Sequence, residues 1–271
     1  MSLVNTNWVE KNIKKLKIID CSWHMPNVKR DGHQEYLESH IENAIFFDLD
    51  KNSNHNTDLP HMLTNNNEWE KIVSNMGIAN DDEIVIYDNS DVLSSCRCWY
   101  NFIYFGHNNK LVHVLDGGLK KWTSEGKSTT TKILKIKTTK YIPLERKNLV
   151  KNKSQINENI IKKEFKIVDA RSRERFEGKV KEPRKGLRNG SIPKSMCIPF
   201  RELINDDNTF KNEKEILNIF KNTLGEEITT NIVFSCGSGV TASVLALAYS
   251  LINNKYMPTI YDGSWAEYGK I

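Results

Sequence analysis

The sequence predicts an α/β protein built from two copies of one domain, each with a mainly parallel sheet flanked by helices. Two observations carry this prediction. Matching elements recur in the same order in the two halves of the chain. Within each half, short apolar strands alternate with helix-like segments, such as those at 212–223 and 241–253.

Four elements occur in both halves: an apolar run that ends in aspartate, a short extended segment, a β-rich run and an Asp-Gly turn. They lie at 17–20, 40–45, 83–88 and 115–122 in the first half, and at 166–169, 191–196, 231–236 and 261–268 in the second. Because four elements repeat at nearly constant separation, duplication of one domain is the simplest explanation.

The repeats give the expected domain boundaries. We predict a first domain at 1–126 and a second at 151–271. The stretch between them, 127–150, is polar, rich in Lys and Thr, and contains Pro143, so it is predicted to be a linker.

Composition excludes several classes of function. The net charge of +5 comes from lysines scattered along the chain rather than from a basic tract, so no nucleic-acid partner is expected. No apolar run approaches the roughly 18–20 residues that cross a bilayer, so no membrane partner is expected. The five cysteines form neither metal-like pairs nor a disulfide framework, and the N-terminus lacks the pattern of a signal peptide. We therefore expect a cytoplasmic protein.

The main candidate for chemistry is Cys236, which opens the loop Cys-Gly-Ser-Gly-Val-Thr-Ala between a strand and a helix. Such a loop turns backbone N–H groups inward, and the helix N-terminus adds partial positive charge, so an anion is stabilised there. We expect an exposed thiolate facing the other domain, with the backbone at Gly237, Gly239, Val240 and Thr241 as the anion-binding residues. The alternative is a buried structural cysteine.

Cysteine phosphatases use a similar cradle, but an arginine follows their cysteine after five residues. That position is Ala242 here, and no Lys or Arg occurs between 236 and 251. A phosphate ester would lack its main charge partner, so phosphatase activity is excluded.

The loop resembles the active-site loop of the 3-mercaptopyruvate sulfurtransferases, which belong to the tandem-domain rhodanese family. The related thiosulfate sulfurtransferases carry a basic loop of the type Cys-Arg-Lys-Gly-Val-Thr, whereas Gly237 and Ser238 are neutral. The turns Asp-Gly-Gly-Leu and Tyr-Asp-Gly-Ser-Trp also match. The resemblance implies two rhodanese-like domains and an enzyme that carries sulfur as a persulfide on Cys236. It implies no metal or organic cofactor, and a sulfur acceptor that is cyanide, a small thiol or a thioredoxin-like protein.

The same resemblance implies the remaining site residues. Arg175 and Arg184 match the two arginines that hold the substrate in the family. Asp50, His61 and Ser238 match a proposed proton relay, in which the histidine transfers a proton and the carboxylate sets its tautomer.

In the first copy, Asp88 stands where the second has Cys236, so the first domain is expected to be catalytically silent. Three alternatives stay open from the sequence. These are thiosulfate as the main donor, a non-catalytic rhodanese-like binding module, and a thiol that senses oxidation.

Overall fold

The computed structural model of the chain describes residues 2–271. These residues form two compact units, each of which includes a short segment from the opposite half of the sequence. The first unit contains the chain up to Asn54, Leu63–Arg146 and Asp206–Thr209. The second unit contains His55–Met62, Lys147–Asn205 and Phe210–Ile271.

The first unit has one sheet, whose described strand pairs are all parallel, in the order β1-β5-β4-β2-β3. Its elements are β1 (Leu3–Val4), α1 (Thr6–Asn12), β2 (Lys17–Asp20), α2 (Gly32–Glu38), β3 (Ala44–Phe46), α3 (Asn66–Asn75), β4 (Ile84–Tyr87), α4 (Ser95–Tyr104), β5 (Val112–Leu115) and α5 (Gly118–Ser124).

The second unit repeats this topology, with parallel strands in the order β6-β10-β9-β7-β8. Its elements are β6 (Val150–Lys151), α6 (Lys153–Lys162), β7 (Lys166–Asp169), α7 (Arg173–Phe176), β8 (Met196–Cys197), α8 (Glu213–Leu224), β9 (Ile232–Ser235), α9 (Val240–Ile252), β10 (Ile260–Tyr261) and α10 (Ser264–Tyr268). Short 3-10 turns lie at Lys147–Leu149 and Phe200–Leu203. The predicted fold class is confirmed.

The strands at the centre of each sheet are buried along their whole length, as in β4 and β9. A parallel sheet covered by helices on both faces requires such continuous apolar strands, because neither face meets water. Helix α9 is also buried at nearly every position from Val240 to Tyr249. No helix in the described part of the chain is long and apolar enough to cross a membrane.

The duplication extends to individual hydrogen bonds. Asp20 ends β2 and accepts a 2.9 Å hydrogen bond from the backbone N–H of Ser22. Asp169 ends β7 and accepts a 2.9 Å hydrogen bond from the backbone N–H of Arg171. Each aspartate therefore fixes the turn that leaves its strand, and in the second unit the same turn directs Arg171 back onto the carboxylate.

The predicted linker, 127–150, has little regular structure but is attached to the first unit over most of its length. Thr130 and His40 exchange backbone hydrogen bonds of 2.8 and 3.0 Å, and Leu144 donates its N–H to the carbonyl of Phe105 over 2.9 Å. These bonds satisfy backbone groups that would otherwise need water.

Candidate active site

Cys236 lies immediately after β9, at the carboxyl edge of the second sheet, and α9 begins four residues later. Gly239, the residue before α9, has a φ of 81°, a left-handed conformation that favours glycine. The first N–H groups of a helix have no acceptor within it, so the predicted anion-binding residues from Gly237 to Thr241 lie where free donors are expected.

The loop is held in place by the start of α10. The N–H of Cys236 donates to Ser264 Oγ over 3.2 Å, and its carbonyl accepts from the N–H of Trp265 over 2.9 Å. The carbonyl of Gly237 accepts from the N–H of Ala266, also over 2.9 Å. Sequence reasoning did not single out Ser264. The available signal was its place in the repeated Asp-Gly turn.

Cys236 is 2% exposed, so the expectation of an exposed nucleophile is wrong. A sequence motif identifies the strand, loop and helix, but not the depth at which the loop lies. An anion bound at this depth would need hydrogen-bond donors from the protein, and the N–H groups of the loop would have to provide them.

Three other cysteines, Cys21, Cys96 and Cys197, are buried thiols. Burial raises the pKa of Cys197 to about 12, and its Sγ donates to the carbonyl of Arg171 over 3.5 Å. Burial also raises the pKa of Cys21 and of Cys96 well above the ordinary value. These three cysteines stay protonated at neutral pH and are poor nucleophiles.

Two arginines reach the Cys236 loop from the chain after β7. A Cβ atom added to Gly237 would lie 3.4 Å from Arg175 Nη2 and 3.5 Å from Arg184 Nη1. Both predicted substrate-binding arginines therefore place a guanidinium beside the residue that follows Cys236, where a bound carboxylate or ketone oxygen could meet them.

Ser238 contacts two of the other predicted residues. His61 Nδ1 lies 2.9 Å from Ser238 Oγ, and Arg184 Nη2 donates to the same oxygen over 3.3 Å. His61 is on the segment His55–Met62 that folds with the second unit, and it is 5% exposed. The structure thus brings His61 and Ser238 together, which sequence spacing alone could not establish.

Asp50, the remaining relay candidate, lies in the first unit after β3. Its Oδ2 accepts a 2.9 Å hydrogen bond from Trp23 Nε1. The pairing of Asp50 with His61 stays a prediction.

Glu182 is a second residue of this site that sequence reasoning missed. Its side chain is 2% exposed and pairs with Arg171 over 2.8 Å and with Arg175 over 2.6 Å. A glutamate in a lysine-rich segment resembles a surface residue, so its burial could not be read from the pattern. Arg171 also pairs with Asp169, with a closest contact of 2.7 Å between two buried side chains, and so supports the fold around the site.

The first unit fills the equivalent loop with its own carboxylate. Asp88 Oδ1 accepts from the N–H of Ser90 and Oδ2 from the N–H of Ser95, each over 2.8 Å. Its carbonyl accepts from the N–H of Leu119, as the carbonyl of Cys236 accepts from Trp265. Burial raises the pKa of Asp88. An internal carboxylate that uses these donors supports the prediction of a silent first domain.

Comparison with known proteins identifies the family of the chain. The chain matches the rhodanese-like domain family over residues 5–125 and again over 152–270. It is 38% identical to the mitochondrial thiosulfate/3-mercaptopyruvate sulfurtransferase 1 of Arabidopsis thaliana, over 98% of this chain and 75% of the relative. It is 34% identical to the 3-mercaptopyruvate sulfurtransferase of Mus musculus, over 98% and 91%.

Among solved structures, the fold is similar to that of SseA from Escherichia coli, a 3-mercaptopyruvate sulfotransferase. The TM-score is 0.86 with 29% identity, and the similarity covers 98% of this chain and all of the other. The expected resemblance is confirmed by sequence and by fold, and the chain belongs to the rhodanese-like family.

Proposed function

We propose that this protein is a sulfurtransferase that takes sulfur from 3-mercaptopyruvate, holds it as a persulfide on Cys236 and passes it to a thiol or cyanide, with release of pyruvate. The observation that carries the proposal is the position of Arg175 and Arg184, whose guanidinium nitrogens lie 3.4 and 3.5 Å from the Cβ position of Gly237. A thiol beside two forked cationic donors suits a donor that presents a carboxylate and a ketone.

Binding comes first in this scheme. Arg175 and Arg184 hold the carboxylate and the ketone oxygen, which places the donor sulfur over Cys236. Fixing the two reacting sulfur atoms in contact removes much of the entropic barrier to reaction.

The Cys236 thiolate then attacks the donor sulfur and forms a sulfur–sulfur bond. The carbon–sulfur bond breaks, and its electron pair moves into the enolate of pyruvate. The proton lost by the donor thiol balances the proton gained by the pyruvate carbon. Ser238 and His61 provide the path for that proton, and Asp50 orients the His61 ring. The enzyme is left with a persulfide anion, which the N–H groups at the start of α9 stabilise.

In the second half of the cycle an acceptor attacks the outer sulfur, and the Cys236 thiolate is regenerated. Cyanide leaves as thiocyanate, and a thiol leaves as its own persulfide. A small thiol or a thioredoxin-like protein is the proposed cellular acceptor. This two-step exchange through a covalent intermediate needs no metal or organic cofactor.

The test follows pyruvate release from 3-mercaptopyruvate by the wild type and by Cys236→Ser. Intact-mass measurement after donor treatment should show the gain of one sulfur atom in the wild type only. A loaded wild type and an inert Cys236→Ser support the enzyme. An unloaded wild type would instead favour a non-catalytic binding module, and oxidation by peroxide without sulfur loading would favour a sensor thiol.

Thiosulfate is the second candidate donor, because the Arabidopsis relative is named for both donors. The decisive quantity is the ratio of kcat/KM for 3-mercaptopyruvate to that for thiosulfate, measured with cyanide as acceptor. A ratio above one supports the proposal, and a ratio well below one assigns the chain to thiosulfate.

A cytoplasmic location is part of the proposal, since all five cysteines are free thiols. Fractionation of cells that express the tagged full chain would test it, and recovery with mitochondrial markers would overturn it.

A further inference from the structure

Glu182 is a buried carboxylate that holds two guanidinium groups at once. Its Oε2 accepts from Arg175 Nη2 over 2.6 Å, and its Oε1 accepts from Arg175 Nε over 3.2 Å and from Arg171 Nη1 over 2.8 Å. The bond to Arg175 is therefore bidentate, which fixes the plane of that guanidinium as well as its distance.

The other end of this cluster is anchored on the sheet. Arg171 donates its Nε to both carboxylate oxygens of Asp169, over 3.1 and 3.0 Å, and its Nη2 to the carbonyl of Gly190 over 2.8 Å. Asp169 ends β7 and pairs in register with Ser235, the residue before Cys236. The side chains of Asp169 and Arg171 are each 1% exposed. Glu182 thus connects a rigid anchor to a substrate-facing arginine.

The cluster is balanced in charge. Burial works against the charged guanidinium of Arg171, but Asp169 and Glu182 outweigh it and raise its pKa. The negative charges of Asp169 and Glu182 equal the positive charges of Arg171 and Arg175. Arg175 therefore offers directed hydrogen-bond donors to a ligand while its charge is offset by Glu182. Because Glu182 offsets the charge of Arg175, a second negative charge on a ligand near Arg175 would be repelled by the Glu182 carboxylate.

We propose that Glu182 is a positioning residue that fixes Arg175 beside the Cys236 loop and biases the site toward a sulfur donor with one negative charge. This inference rests on the proposed function. 3-Mercaptopyruvate carries one negative charge at neutral pH, and thiosulfate carries two. Loss of the Glu182 charge should therefore favour thiosulfate in relative terms.

The test compares Glu182→Gln with wild type on both donors. Glutamine keeps the length of the side chain and removes the charge, so kcat/KM for 3-mercaptopyruvate should fall, while the ratio of kcat/KM for thiosulfate to that for 3-mercaptopyruvate rises about tenfold or more. A purely structural role would lower both values by the same factor and leave the ratio unchanged, which would overturn the inference.

Glu202→Gln is the matched control. Glu202 binds Arg173, on the same short helix as Arg175, through contacts of 2.7 and 2.9 Å, but its side chain is 39% exposed. Removal of this surface pair should leave kcat/KM for both sulfur donors, and the ratio of the two values, as in the wild type.

Glu182→Asp separates the length of the side chain from its charge, and it tests the positioning role even if the glutamine variant does not fold. It keeps the charge but is one methylene shorter, so kcat/KM should fall about tenfold for both donors at the wild-type ratio. Wild-type rates for this variant would overturn the positioning role. A wild type that releases no pyruvate would overturn the proposed function itself, whereas an active wild type with an unchanged ratio in Glu182→Gln overturns this inference alone.

Discussion

His61 Nδ1 lies 2.9 Å from Ser238 Oγ, although the two residues are 177 positions apart in the sequence. The segment that carries His61 is also held by an ion pair of 2.6 Å between Asp58 and Lys270. A histidine ring in contact with a hydroxyl of the Cys236 loop suits the proton transfer to pyruvate that we propose.

His61→Asn should lower the rate of pyruvate release by about 10²-fold, because proton transfer by a positioned side chain contributes at least that much. Discharge of a preformed persulfide by cyanide should change little, since that half-reaction needs no proton. Single-turnover measurement of each half-reaction checks this. His33→Asn, at an exposed position in the first unit, is the control. Equal loss in both half-reactions would contradict the relay.

Gly239→Ala should destabilise the protein by about 1–2 kcal/mol, because alanine is strained at a φ of 81°. Since this residue precedes the first amides of α9, the rate of persulfide formation should fall as well. Thermal unfolding and the donor half-reaction measure the two effects. Gly225 has a φ of 91° at the end of α8. Gly225→Ala should lower the free energy of unfolding by a similar amount but leave the rate of persulfide formation at the wild-type value. Loss of activity in both variants would show that strain alone explains the result.

Ser264→Ala removes the acceptor for the N–H of Cys236. A buried donor without a partner costs about 1–3 kcal/mol, so the free energy of unfolding should fall by that amount. The loop should also lose order, and sulfur loading should slow. Ser250→Ala, which removes a 2.6 Å bond to the carbonyl of Leu247 near the end of α9, is the comparison. The prediction fails if Ser264→Ala loads sulfur at the wild-type rate.

Stability of the first unit should fall as the pH rises from about 4 to about 6. Burial raises the pKa of Asp20 from 3.8 to about 6. In this window the folded chain keeps the proton that the unfolded chain releases, so a rise in pH favours unfolding, by about 3 kcal/mol at most. Asp20→Asn carries no such proton and should gain stability relative to wild type over the same window.

Denaturant unfolding at several pH values measures this difference. Tryptophan fluorescence reports mainly on the first unit, because Trp265 alone of the six tryptophans belongs to the second. Asp169 is the equivalent of Asp20 in the second unit, but it is paired with Arg171. Asp169→Asn breaks this buried pair and should therefore lower the free energy of unfolding by about 3–5 kcal/mol at neutral pH. Similar pH profiles for wild type and Asp20→Asn would show that the Asp20 carboxyl titrates normally.

The fold could be predicted because its signals are local and repeated. Strands such as β4 and β9 are short apolar runs, and each stands in the same place in its half of the chain. The position of Cys236 between a strand, a glycine-containing loop and a helix could be predicted for the same reason, and its role as the sulfur carrier stays a prediction.

The remaining features depend on contacts distant in sequence. Glu182 and Ser264 act through side-chain partners that no spacing rule connects to them, and the burial of Cys236 depends on what packs around its loop. The assignment of His61 to the second unit follows from folding and not from its place in the first half of the sequence.

The exchange of His55–Met62 and Asp206–Thr209 between the two halves has a practical consequence. Lys121 of the first unit pairs with Asp207 over 2.8 Å, as Asp58 pairs with Lys270 in the second. If the chain is cut between the two halves, the first fragment keeps His55–Met62, which folds with the second unit. The second fragment keeps Asp206–Thr209, which folds with the first unit. The half that contains Cys236, when produced alone, would therefore lack His61, and activity should return only when the complementary fragment is added.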